Sequence, residues 1–227
     1  MPSGLFVTGT DTDVGKTVIA AGLLELAATQ GLKTAAIKPV AAGCAWVNGS
    51  LVNDDALHLR AAATECQTYA AVNPIALEPA IAPHIAAAQA GIRLTASSLF
   101  AHCQSVFDSV AADVVVVEGA GGWLVPLNED ETLADLAQLL ALPVVLVVGL
   151  KLGCISHALL TQMAIESRGL SVAGWVANTI DPNMDVYQEN IDTLNLGMHA
   201  PCWGVVPNLS DVGSANVASY LDEGLFR

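Results

Sequence analysis

Gly9 and Gly15 bracket Thr10 to Val14 and are followed at once by Lys16 and Thr17, a set suited to holding a nucleotide's phosphates. Gly15 lets a backbone come close to an anion, Lys16 would reach the terminal phosphates, and the Thr17 hydroxyl would ligate Mg²⁺. The spacing between the two glycines is one residue longer than the common pattern. What favours a phosphate-binding loop over a chance surface turn is its setting. An apolar run, Leu5-Phe6-Val7, precedes it, and an Ala/Leu-rich segment from Val18 to Ala28 follows. Strand, loop, then helix brings the unpaired N–H groups and positive end of a helix to the anion.

The remaining charge is arranged around this loop. The chain has only four lysines, and Lys16, Lys38 and Lys151 each fall at or just past the carboxyl end of an expected strand. Asp11, Asp13, Asp55 and Glu118 occupy comparable positions. In an open parallel sheet that edge is where ligands bind. Phosphate needs cations and N–H donors, and Mg²⁺ needs oxygen ligands, so both halves of a nucleotide site are present. Each residue also has a plainer reading. Lys38 would be a solvated strand end, and Asp55 a carboxylate in a helix's first turn complementing the dipole. Glu118 resists such a reading, because it ends a four-valine run, Val114–Val117, and a charge there needs a partner. Asn178 ends another strand and matches the edge of adenine as donor and acceptor, or else sits at a turn. The Asn-Lys-x-Asp element expected for guanine is missing, since Thr179 and Ile180 follow, which favours ATP over GTP. The five histidines show no metal-ligand spacing.

Strands alternate with helices to position these groups. Strands are expected at 5–7, 34–38, 114–117, 144–148, 172–177 and 202–206. Helices are expected at 17–29 (closed by Gly31), 53–64, 83–90, 97–110, 132–141, 156–168, 185–196 and 214–221. Residues 41–52 read as an irregular loop, and 65–82 as a poorly patterned connection carrying Pro74 and Pro79. The expectation is an α/β domain spanning residues 1–227, its mostly parallel sheet covered by helices on both faces.

Composition closes off other classes. Hydrophobic residues make up 53% and charged ones 13%, enough for a large core and too apolar for disorder. A formal net charge of −14 disfavours nucleic acid and anionic membrane as partners. Five scattered cysteines without a CxxC pair read as reduced thiols, and no basic n-region with an apolar h-region opens the chain, so a cytoplasmic protein is expected. The apolar stretch 133–150 is broken by Asp135, Gln138 and Pro143 and reads as helix then strand, not a membrane span.

Seven segments occur in an order that carries a family resemblance: GTDTDVGKT (9–17), IKPVAAG (37–43), NDDALHL (53–59), VNPIALEPAIAPH (72–84), VVEGAGGW (116–123), VGLKLGCISHALLT (148–161) and GWVAN (174–178). Together they resemble dethiobiotin synthetase, over roughly residues 3 to 210, and the longer glycine spacing is a feature of that family. The resemblance implies a fold like the P-loop nucleoside triphosphate hydrolases and an ATP- and Mg²⁺-dependent ring closure in biotin biosynthesis. In that reaction 7,8-diaminononanoate takes up CO₂ as a carbamate. The carbamate attacks the γ-phosphate of ATP, and the second amine closes the ureido ring and expels phosphate.

By the same resemblance Lys16 and Lys38 match the essential lysines, and Thr17, Asp55 and Glu118 the Mg²⁺ ligands. Asp13, Val14, Gly15, Lys16, Thr17 and Val18 match ATP contacts, as do Glu118, Gly119, Ala120, Gly121, Asn178, Thr179, Pro207, Asn208 and Leu209. Thr12 and Ala42 fall where the diamine is approached. Gly153, Cys154, Ile155 and Ser156 match a segment that holds the substrate carboxylate from a neighbouring subunit, implying a homodimer. Two positions depart from the family pattern: Ala42 stands where a serine is common, and Ser156 where an asparagine is. The competing reading is a P-loop ATPase switch of the partition or assembly type, but Thr10–Val14 lacks the extra lysine expected there. A cobyrinate amidase-like synthetase would need a glutamine-hydrolysing domain, for which 227 residues leave no room.

Overall fold

The computed structural model describes residues 2–226, with ten strands and nine helices among them. Six strands form one fully parallel sheet: β1 (Ser3–Gly9), β2 (Thr34–Ile37), β7 (Val114–Glu118), β8 (Val144–Leu150), β9 (Val172–Thr179) and β10 (Cys202–Val206). Their order across the sheet is β10-β9-β8-β1-β7-β2. Chain order therefore reverses beside β1, and the loop leaving β1 lies at that switch point, where a crevice opens.

β7 and β8 are buried along their whole length, which is why each is a near-unbroken run of valine and leucine. Alternate residues face opposite layers. Val116, Val145 and Val147 pack with Ile19, Leu23 and Leu24 of α1 (Lys16–Thr29), Leu59 of α2 (Asp54–Ala62) and Val217 of α9 (Ser214–Ala218). Val115 and Val117 face Cys103 and Val106 of α5 (Ala96–Ser109) and Ala134 and Ala137 of α6 (Leu133–Leu140). Leu146 and Val148 meet Ala158 of α7 (Cys154–Ser167) and Leu194 of α8 (Tyr187–Gly197).

The two segments that lacked a clear pattern are structured. Residues 41–52 carry most of β3 (Val40–Ala42) and an antiparallel hairpin of β4 (Ala45–Val47) and β5 (Ser50–Val52). Asn48 and Gly49 make its turn with φ of 51° and 82°, the left-handed pair that suits a two-residue hairpin. Residues 65–82 carry α3 (Tyr69–Val72) and β6 (Ile75–Leu77), which pairs in parallel with β3. α4 (Pro83–Gln89) follows directly. Smaller corrections fall at helix ends. α7 begins at Cys154, not at 156, α8 begins at Tyr187, and α9 stops at Ala218. Gly31 lies one residue beyond the Gln30 cap of α1, where its N–H bonds the Ala28 carbonyl and Leu32 bonds Ala27.

β2 is an edge strand, and the chain from 64 to 73 covers it with side chains in place of a seventh strand. Thr64 bonds both polar groups of Thr34, and the Gln67 carboxamide bonds both N–H and C=O of Ala36. Beyond the strand end, Lys38 donates its N–H to the Val72 carbonyl and its C=O accepts from Asn73. Every outward group of the edge is thereby satisfied without the periodicity a strand would leave in sequence.

Candidate active site

The loop from β1 to α1 is held open by backbone geometry. Gly15 sits at φ 85° at the helix N-cap, and a Cβ there would fall 2.2 Å from Asn178 Nδ2. That close approach is used: Asn178 Nδ2 donates to the Val14 carbonyl at 2.9 Å, so the end of β9 fastens the loop. Lys16 is the first residue of α1 and is only 7% exposed. Its Nζ donates to the Asp11 carbonyl at 3.0 Å. Burial lowers the Lys16 pKa, although Glu118 pulls the other way. An anion at the loop would compensate that buried charge.

Glu118, at the end of β7, is fully buried. Its Oε1 accepts from Thr17 Oγ1 at 2.9 Å and from Lys38 Nζ at 2.5 Å. Lys38, 2% exposed, also donates to Asp55 Oδ2 at 2.9 Å. Burial alone would depress the lysine, but Glu118 and Asp55 outweigh it and raise its pKa. Burial pushes Asp55 up, and Lys38, Thr17 and Lys16 more than reverse that, so its carboxyl is held below the usual range. Glu118 Oε2 is buried and has no hydrogen-bond partner. An orphaned carboxylate oxygen beside a threonine hydroxyl and a second carboxylate is a hard-oxygen donor set that suits Mg²⁺. The residues present therefore fit the metal that the sequence reading expects.

These groups face one cavity of about 880 Å³. Thr12, Asp13, Gly15, Lys16, Thr17, Val18, Lys38, Ala42, Asp55, Glu118, Ala120 and Gly121, all expected from sequence, line it. Val14 does not, because its side chain is buried in the core and only its backbone belongs to the loop. Gly119 is set back, with its N–H bonded to the Val7 carbonyl. A second cavity of about 210 Å³ brings together Val18, Asn178, Thr179, Pro207, Asn208 and Leu209, with Ile180, Val206 and Val212 completing its wall. Asn208 Nδ2 donates to the Thr179 carbonyl at 3.2 Å, which joins the two strand ends.

Gly153, Cys154, Ile155 and Ser156 line neither cavity of the single chain. Gly153 caps α7 at φ 94°, the Cys154 thiol is buried in the core, and the Cys154 N–H is bonded to the Lys151 carbonyl. Lys151 pairs with Asp11 at 2.9 Å, and that contact, with the Thr12 N–H, lowers the Asp11 pKa. The third lysine of the rim therefore braces the loop from outside the cavity.

The large cavity is also lined by Ala41, Asn53, Ala80, Ile81, Ala82, Pro83, Leu124, Val125 and Pro126, which sequence reasoning did not assign to the site. Leu124 is 55% exposed and Ile81 41% exposed. Ile81 lies inside the quoted segment 72–84 and Leu124 just past 116–123, but apolar loop residues carry no periodic signal that would assign them to the site.

A family model described as "AAA domain" matches residues 3–216. The ATP-dependent dethiobiotin synthetase BioD of Pseudomonas paraeruginosa (strain DSM 24068 / PA7) is 54% identical, over 98% of this chain and 96% of that protein. The enzyme of the same description from Cellvibrio japonicus (strain Ueda107) is 55% identical over 96% of this chain and 94% of its own. That from Chromohalobacter salexigens is 50% identical over 95% and 96%. With the expected loop, lysines and carboxylates gathered on one cavity and near-complete coverage of these relatives, the chain belongs to the ATP-dependent dethiobiotin synthetase family.

Proposed function

We propose that this chain is an ATP- and Mg²⁺-dependent dethiobiotin synthase that converts 7,8-diaminononanoate, CO₂ and ATP to dethiobiotin, ADP and phosphate. The observation that carries the reading is the convergence of Lys16, Lys38, Thr17, Asp55 and Glu118 on one cavity that is also lined by Ile81, Pro83, Leu124 and Val125. A phosphoryl acceptor needs cations and a fixed approach, and a fatty-acid-like diamine needs apolar surface; this cavity offers both.

The protein supplies no covalent nucleophile, because the carbamate formed on one amine of the substrate is itself one. Its oxygen attacks the γ-phosphorus of ATP and ADP leaves. The second amine then attacks the carbamoyl carbon, closing the ureido ring and releasing phosphate. Lys16, at the mouth of the loop, holds the terminal phosphates, and Lys38 holds the carbamate oxygen and the transferred phosphoryl group. Because Lys38 is buried between two carboxylates, it stays protonated and in place, so the charge it provides costs little reorganisation in the transition state. Thr17, Asp55 and Glu118 hold Mg²⁺, which neutralises phosphate charge when bound. Thr12 and Ala42 border the diamine, and the absence of a hydroxyl at Ala42 leaves the apolar wall to set its affinity. The second cavity, with Asn178, Thr179, Pro207, Asn208 and Leu209, takes the adenine.

The substrate carboxylate is held by Ile155 and Ser156 N–H groups at the start of α7 of a neighbouring subunit. Supporting a homodimer, Leu152 is 94% exposed beside that turn, and Leu160 and Met163 on α7 are 62% and 63% exposed. We assign the whole chain to one domain working in the cytoplasm, without nucleic acid or membrane. Among the described residues no helix is long and apolar enough to cross a bilayer.

The test is incubation of the protein with ATP, Mg²⁺, bicarbonate and 7,8-diaminononanoate. Phosphate release that requires the diamine supports the synthase. Release that proceeds equally without it indicates an ATPase switch and overturns the proposal.

A further inference from the structure

The connection between β2 and β6 does more than cover an edge. At Thr34 and Ala36 the covering side chains end with the strand they satisfy. At Lys38 the chain of bonds continues. Asn73, 2% exposed, donates from Nδ2 to the Lys38 carbonyl at 2.7 Å and to the Ile75 carbonyl at 3.2 Å. The Tyr69 hydroxyl donates to Asn73 Oδ1 at 2.8 Å and accepts from the Asn53 N–H at 2.8 Å. Asn53 is the N-cap of α2, where its Oδ1 accepts from the Ala56 N–H at 3.2 Å. Asp55 lies in the first turn of that helix and reaches back to Lys38 Nζ. The result is a closed ring of contacts: Lys38 side chain, Asp55, α2, Asn53, Tyr69, Asn73 and the Lys38 backbone.

Satisfying an edge does not require that last link to a helix. Tyr69 is placed to use both functions of one hydroxyl, each against a segment that carries a member of the phosphate site. We infer that Tyr69 and Asn73 are positioning residues for phosphoryl transfer, holding the Lys38 backbone and the start of α2 at a fixed separation so that Lys38 stays aligned between Asp55 and Glu118. Neither residue lines the cavity, so neither touches substrate. The inference rests on the assignment of Lys38 to the transferred phosphoryl group. A misplacement of the order of an ångström at such a group is enough to cost substantial rate.

The substitution Tyr69→Phe removes one oxygen and keeps the ring. Asn73→Asp keeps the acceptor for Tyr69 and replaces the donor facing the Lys38 carbonyl with an oxygen. Single-turnover phosphoryl transfer at saturating substrates, ATP dissociation constants and melting temperatures are measured for the parent, both variants, the double variant and Lys38→Ala. The expected result is a transfer rate about tenfold lower in Tyr69→Phe, at least as large a loss in Asn73→Asp, and ATP affinity within twofold of the parent. The double variant should lose less than the product of the two single effects, because both break one link. A purely structural role would lower the melting temperature and leave the transfer rate of folded protein at the parental value; that outcome overturns the inference. So does a loss confined to ATP affinity. Loss of transfer in Lys38→Ala with none in Tyr69→Phe and Asn73→Asp discards the positioning role alone, whereas parental transfer in Lys38→Ala discards the assignment of Lys38 and this inference with it.

Discussion

The two walls of the large cavity are built on opposite principles. On the phosphate wall Lys16, Lys38 and Glu118 are nearly or wholly buried, and each makes side-chain hydrogen bonds that fix it. On the apolar part of the lining Ile81 and Leu124 are substantially exposed, and no side-chain hydrogen bond could fix an alkyl group there. Beneath that second wall Leu127, Leu133 and Leu136 form a separate cluster with Leu77 and Leu99, against which Ala42 and Val125 pack. The difference follows from what each wall must do. Charge developing during phosphoryl transfer is stabilised only by groups already in place. An alkyl chain gains affinity from area, whatever the detailed placement of the side chains that supply it.

Variants on the two walls should therefore fail in different ways. The largest effect belongs to Lys16→Ala, which removes the buried cation of the loop; turnover should fall by about a thousandfold with the melting temperature little changed. Substantial residual turnover, measured by diamine-dependent phosphate release, would place the loop's role elsewhere. Lys38→Ala comes next. Its turnover should fall by about a hundredfold or more while ATP affinity changes little, because the side chain meets the reacting oxygens and not the base. Leaving Asp55 and Glu118 without their shared cation also destabilises the fold, so thermal melting should be recorded alongside.

On the apolar wall, Leu124→Ala should raise the KM for the diamine by about fivefold and leave kcat unchanged, the signature of uniform binding by buried area. A fall in kcat instead would mean that this wall orients the reacting amine, and the contrast between the walls would collapse. The smallest effect concerns α6, which backs the apolar wall. Asp135 closes a capping box with Thr132 and pairs with Arg168 at 2.6 Å. Burial alone would push Asp135 up, but the Thr132 and Arg168 contacts prevail and lower its pKa. A depressed folded-state pKa stabilises the fold above the unfolded value, and that contribution is lost as pH falls through the folded one. Asp135→Ala should cost about 1 kcal/mol at neutral pH. The gap between the two proteins in thermal melting should narrow below the ordinary aspartate value of 3.8.

The same contrast explains what was legible in sequence. The phosphate wall announces itself, because Val114–Val117 running into Glu118 is explicable only if the charge has a partner, and Gly15-Lys16-Thr17 follows a strand. The apolar wall does not, since alanine, proline and leucine in loops are common for many reasons. Residues 41–52 and 65–82 are the least readable for a further cause. There, side-chain hydrogen bonds from Thr64, Gln67 and Asn73 replace a strand, and three-residue strands are too short to show alternation. Asn48-Gly49 is a hairpin-turn signal within residues that read as an irregular loop. Asn178 reads in sequence either as matching the edge of adenine or as a turn residue; its bond to the Val14 carbonyl, made across 164 positions of sequence, has no local signature.

Attack of a carbamate oxygen on the γ-phosphorus in this cavity is the central step, and oxygen tracing reads it directly. A single turnover is run with ¹⁸O-labelled CO₂, unlabelled ATP and 7,8-diaminononanoate, and the released phosphate is weighed by mass spectrometry. If the carbamate is the nucleophile, each phosphate formed with dethiobiotin carries one oxygen from the labelled CO₂. Phosphate free of label while dethiobiotin accumulates would show that the phosphoryl group never bonded to the carbamate, and would contradict the mechanism.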